Sequence, residues 1–256
     1  MTGPPATDRG AAPAWQAIAA MTAMELRLAM RRGETLVATA VLPVVVLLFF
    51  SSVSVIRIDA GRPVDYLLPG SIAFAIIATS LVSLGITTAY DRSYGVLKRL
   101  GGSPLSRGEL VTARILAVLV VEAVQVAVLV AAASLVLGWS APAGASAGLL
   151  VVAVLLGTVA FAGLGLLLAG TLRAETMLAV ANVLFVASLV LGGVVLPIDQ
   201  LPAPLAAVAG ALPAAALSDA LRIALGAPGD AVGHLALLAG WGVATVGLAV
   251  ATFRWE

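Results

Sequence analysis

Lys98 is the only lysine among 256 residues. It stands in a polar run between two apolar blocks, Asp91-Arg92-Ser93-Tyr94-Gly95-Val96-Leu97-Lys98-Arg99-Leu100-Gly101-Gly102-Ser103-Pro104, and Arg107 follows. Basic side chains in such a segment suit anionic surfaces, lipid headgroups or a docking partner. They do not supply nucleotide chemistry. No Gly-x-x-x-x-Gly-Lys-[Ser/Thr] surrounds Lys98, so the chain has no P-loop with which to hydrolyse ATP. Other chemistries are equally thin. No His-Glu-x-x-His occurs, and no Gly-x-Ser-x-Gly elbow precedes a usable histidine. His234 is the single histidine, at the edge of an apolar run, and reads as an interfacial side chain. There are no cysteines, hence no disulfide or thiol chemistry, and one histidine excludes a multi-histidine metal site.

The remaining candidates are polar side chains inside apolar runs, where burial makes each one costly. Glu122 lies about ten residues into the third run, with Gln125 one turn on. It reads equally as a hydrogen bond to a neighbouring helix or as a substrate or proton site. Thr79, Ser80, Ser83, Thr87 and Thr88 sit in the second run, and Asn182, Phe185 and Ser188 in the fifth. Thr79, Ser83, Thr87, Asn182, Phe185 and Ser188 form a candidate translocation path. Hydroxyls in membrane helices more often bond their own backbone.

The elements that must position these groups follow from hydropathy. The chain is 61% hydrophobic and 11% charged, against about 25% charged in an ordinary soluble domain. Its solvent must therefore be lipid. Net charge is near zero, so bulk electrostatics say nothing about nucleic acid, and no nucleic-acid partner is expected. The spans are expected at Leu36–Val55, Leu67–Tyr90, Ala113–Leu137, Gly148–Gly170, Thr176–Leu196 and Leu235–Thr252. Each is near the ~20 residues that cross ~30 Å of hydrocarbon as a helix. Pro43 kinks or opens the first span. Gly163 and Gly170 suggest one closely packed face on the fourth. Residues 1–13 read as a disordered tail, and Ala14–Arg32 as a helix on the membrane surface or, equally, a helical extension of the first span. This divides the chain into a tail with interfacial helix, 1–35, and a membrane domain, 36–256. Between spans five and six, three prolines are followed by Leu205–Leu212 and Ala214–Leu225, split by Pro213. These read as two short outer-leaflet helices rather than a seventh span. Asp219 and Arg222, three apart, can pair on one face.

Lysine and arginine counts orient the spans. With both termini cytoplasmic, Arg9, Arg27, Arg31, Arg32, Arg92, Lys98, Arg99, Arg107, Arg114, Arg173 and Arg254 lie inside, and only Arg57, Arg62 and Arg222 outside. The segment after span two is then cytoplasmic. Asp91 is expected to open a short helix there, with Tyr94, Leu97 and Leu100 as its apolar edge, Lys98 and Arg99 beside them, and Gly101-Gly102-Ser103-Pro104 as its stop. Such a segment reads as a docking peg.

Three stretches resemble the membrane subunit of ABC-2 type exporters, related to daunorubicin-resistance transporters. They are Asp91–Leu100 with Ser103-Pro104-Leu105-Ser106; Asn182 through Gly192-Gly193-Val194-Val195-Leu196-Pro197; and Leu201-Pro202…Leu212-Pro213…Asp219-Ala220-Leu221-Arg222. Asp91 stands where the family usually has Glu. The resemblance implies an all-α protein of six transmembrane helices with an N-terminal interfacial helix, a coupling helix between helices 2 and 3, and short outer-leaflet helices between 5 and 6. It implies a permease in the plasma membrane that pairs with a second permease subunit, as homodimer or heterodimer. A separate ABC ATP-binding subunit, which carries ATP and Mg, would dock on Asp91, Arg92, Tyr94, Gly95, Leu97, Lys98, Arg99, Leu100 and Pro104. The chain itself would be no enzyme and need no cofactor. Its cargo would be a drug-like, lipid-like or otherwise amphipathic substrate, with export and antibiotic resistance as the biology. Two other classes stay open: a proton-coupled carrier using Glu122, and a non-transporting membrane scaffold.

Overall fold

The computed structural model describes residues 13–31, 33–52, 62–102, 105–194 and 202–252, with side chains from Ala40 onward in the second stretch. The N-terminal tail, Ser103 and Pro104, the exit 195–201 and the C-terminal residues 253–256 lie outside the described residues.

Every regular element among the described residues is helical: α1 Ala14–Arg31, α2 Gly33–Ser52, α3 Pro63–Ile76, a π-helical turn Ile77–Ser83, α4 Leu84–Ser93, α5 Val96–Gly101, α6 Arg107–Val136, α7 Ala147–Thr171, α8 Ala174–Leu191, α9 Ala203–Gly210, α10 Pro213–Ala224 and α11 Val232–Thr252. Among the described residues, five units are long and apolar enough to cross a membrane: Pro63–Ser93 (α3, the π turn and α4 together), α6, α7, α8 and α11. The apolar described part of α2 is the shorter Ala40–Ser52, and Pro43 lies inside that helix. α9 and α10 meet at 78°. Pro213 causes the break: as the first residue of α10 it has no N–H to continue α9.

The helix ends obey local chemistry. Arg62 precedes Pro63, and its guanidinium donates to Leu137 O (2.7 Å) and Gly138 O (3.1 Å), carbonyls at the end of α6. Ser106 and Glu109 form a reciprocal capping box that starts α6.

The unit α3–π–α4 is the most enclosed, with 83% of its apolar window buried against 17% for α8, so α8 is peripheral. Leu68, Ile72, Ile76, Ile77 and Leu81 are fully buried along it. α7 lies against it at close range. A Cβ on Gly165 would sit 2.9 Å from Ser80 O, and one on Gly85 would sit 3.2 Å from Gly165 O, so glycine at both positions permits this approach. The glycines of α7 do not share one face. Gly163 meets Thr245 and Val246 of α11, and Gly157 meets Leu217 of α10. A helix surrounded on several sides needs small residues all round.

Arg92, Lys98, Arg99, Arg107, Arg114 and Arg173 gather where α4, α5, the start of α6 and the start of α8 meet, the proximal end. Arg62 and Arg222 lie at the other, distal end.

Candidate functional site

The proximal end is built around Arg114, 2% exposed. Its Nε lies 3.0 Å from Glu25 Oε1 of α1, and its Nη2 donates to Asp91 Oδ2 of α4 at 2.6 Å. Nη1 donates to the Thr88 hydroxyl. One guanidinium thus joins α1, α4 and α6, using the fixed fork that suits arginine to such a site. Arg92 donates to the Leu172 carbonyl after α7, tying that end as well. Glu25 and Arg114 were not among the candidate residues read from the sequence. The available signal was an arginine at the very start of the third apolar run, Ala113–Leu137, where a charge has to find a partner.

This geometry changes the reading of the polar segment. Asp91 does not open the short helix. It lies in the last turn of α4, and the break falls at Tyr94–Gly95, where Gly95 takes φ 72° in the left-handed region. Arg114 holds Asp91 in place, so the acid serves a tertiary ion pair rather than a helix start. The expected apolar edge is also divided. Leu97 is fully buried and packs with Met21, Leu110 and Ala113, with Leu100 alongside, whereas Tyr94 is 74% exposed. Val96, Lys98 and Arg99 share the exposed side of α5. Pro104 lies outside the described residues.

Deeper in the bundle, the π turn displaces two hydroxyls toward α6. Thr79 donates to Gln125 Oε1 at 3.1 Å, and Ser80 donates to Glu122 Oε1. Thr158 of α7 bonds Glu122 Oε2, so Glu122, fully buried, links three spans. A π turn widens the helix by one residue and often marks a site of function. Here it brings adjacent hydroxyls to two partners on one helix. Among the described residues, Glu122 has no basic partner.

Thr79, Ser83 and Thr87 line one cleft of about 130 Å³ with Glu25, Asp91 and Arg114, between α1, α4 and α6. Asn182, Phe185 and Ser188 do not join them. α8 packs on Val82, Ile86, Ala89 and Tyr90, a different side of the same unit. Phe185 meets Phe74 edge-on at 5.2 Å between ring centroids, and exposed Asn182 donates to its own Leu178 O at 2.7 Å. The candidate path residues therefore form two separate sets within this chain.

Two further placements bear on chemistry. Gly144-Ala145-Ser146-Ala147-Gly148 has the spacing of a nucleophile elbow. Ser146 is the cap of α7, its hydroxyl accepting from Leu149 N–H at 3.3 Å, and no strand leads into it. At the distal end, Arg222 pairs with Asp219 at 2.8 Å, donates to Gly193 O and stacks 4.5 Å from the Tyr66 ring centroid.

No curated protein matches the chain. A family model described as ABC-2 type transporter matches residues 16–225, from the first turn of α1 to the end of α10. With this match over most of its length, and with a helical bundle of membrane-crossing dimensions, the chain belongs to the ABC-2 type transporter family.

Proposed function

We propose that this chain is the permease subunit of an ATP-driven exporter, moving an amphipathic substrate out of the cytoplasm or inner leaflet. The family's membrane domain is a transport component and not a catalytic one, and family membership implies association with an ABC ATP-binding subunit. The proximal end is cytoplasmic in this reading, α1 is the interfacial helix, and α5 is the coupling helix. ATP and Mg reside on the partner, and a second permease completes the membrane unit.

The observation that carries the coupling role is the two-sided character of α5. Its inner side, Leu97, is locked to α1 and α6, while Tyr94, Lys98 and Arg99 are exposed on the outer side. A push on that outer side reaches Arg114 through rigid contacts. Coupling needs only that the partner's contacts differ between two states of the bundle.

The double variant Lys98→Glu/Arg99→Glu tests this. Membrane insertion should be unchanged, while co-purification with the ATP-binding subunit and ATP-dependent export fall at least tenfold. Full export by the variant would remove α5 from the coupling role.

A further inference from the structure

The cleft between α1, α4 and α6 has a feature that the coupling role does not use. Its polar head presents acceptors that nothing else among the described residues uses. Arg114 Nε lies at ion-pair distance from Glu25, Nη2 donates to Asp91 and Nη1 donates to Thr88. Glu25 Oε2 and Asp91 Oδ1 have no partner among the described residues, and both side chains keep some exposure, 17% and 16%. The two carboxylates against one guanidinium leave the described lining with net charge −1.

The hydroxyls repeat the pattern. Thr88, Thr158, Thr171, Thr245, Thr252 and Ser52 each bond the carbonyl four residues back. Ser83 and Thr87, one turn apart on the cleft wall, bond no carbonyl and no side chain among the described residues. Below them the walls are apolar: Leu26 of α1 and Ala117, Val118 and Val121 of α6.

We infer that this cleft is a binding site for a protonated amine carried on an apolar chain. Acceptors with net negative charge select a cationic donor, since a buried carboxylate oxygen is stabilised by a charged N–H. An anionic headgroup meets two carboxylates beside a single guanidinium that both already neutralise. The apolar wall takes the tail. The site deepens the proposed function by naming a ligand class, and it rests on that reading only in assigning the cleft to the cytoplasmic leaflet. The amine has two possible sources, a bilayer lipid with an ethanolamine headgroup or a free amphiphilic amine.

The chain has no cysteine, so Ser83→Cys gives one thiol in the cleft. The permease alone, in phosphatidylcholine/phosphatidylglycerol nanodiscs, is labelled with aminoethyl or sulfonatoethyl methanethiosulfonate, each rate normalised to free cysteine. The cationic reagent should be favoured on the order of tenfold, and Glu25→Gln should remove most of that preference. Dodecylamine should slow labelling and dodecyl sulfate should not. Slower labelling on adding phosphatidylethanolamine assigns the amine to lipid; slowing by dodecylamine alone assigns it to a free amphiphile. Equal normalised rates, no labelling by either reagent, no slowing by either amine, or slowing by dodecyl sulfate overturns the inference. No ATP-binding subunit is present, so none of these outcomes bears on coupling through α5, and loss of coupling would leave the cleft's selectivity intact.

Discussion

Two arginines sit near opposite ends of the bundle, and they are held differently. Arg114 is 2% exposed and is shared by carboxylates from two other elements, Glu25 and Asp91. Arg222 is 16% exposed and pairs with Asp219 three residues back on its own helix. Among the described residues, its long-range side-chain contacts include the Gly193 carbonyl and the face of Tyr66. The proximal arginine therefore cross-links α1, α4 and α6, so none can shift without exposing an unpaired charge. The distal arginine keeps its acid wherever α10 goes, and moving α10 away costs a hydrogen bond to Gly193, just after α8, and a cation–π contact with Tyr66 of α3. Under the proposed exporter function, this asymmetry suits an end that receives force and an end that yields.

The comparison breaks first at Arg114. Arg114→Met leaves Glu25 and Asp91 without their cation, and the cost should be about 3–5 kcal/mol. The expected result is a large drop in the thermal unfolding midpoint in detergent. A midpoint within a degree or two of the parent would show that the cluster is not structural. Between the two ends, Glu122→Leu removes the acceptor of Ser80 and should cost about 1–3 kcal/mol. Glu122→Gln keeps an acceptor there and should retain most stability and transport. Transport abolished by Glu122→Gln with an unchanged midpoint would instead favour the proton-linked role. The smallest effect is expected distally. Arg222→Gln should cost about 1–2 kcal/mol, from the lost ring contact and charged hydrogen bond. If Arg222→Gln destabilised as much as Arg114→Met, the proposed division into a braced end and a yielding end would be wrong.

Much of the bundle was legible in residue order. The Leu67–Tyr90 and Gly148–Gly170 runs fall inside the observed units Pro63–Ser93 and Ala147–Thr171. Hydropathy is a local property, and lipid imposes helix on any long apolar run because backbone groups must be satisfied within it. Pro213 likewise marked the bend between α9 and α10. Partnerships were not legible. Glu25 and Arg114 are 89 positions apart, and neither stands in a motif. Nor did spacing reveal that Tyr94 and Leu97 face different surroundings, because Gly95 breaks the helix between them.

By itself the sequence determined the rough extent of most of the apolar helices, their polar ends, and the lack of a P-loop motif and of cysteine, since each depends on residue type or on a short window. Only the tertiary structure decided that Thr79, Ser83 and Thr87 open onto a charged cleft while Asn182 and Phe185 do not. It also decided that Glu122 is shared by Ser80 and Thr158. The physical reason is that a side chain's neighbours depend on helix rotation and close approach. Here those were set by the π turn and by the contact between Gly85 and Gly165, which act across the bundle rather than along the chain.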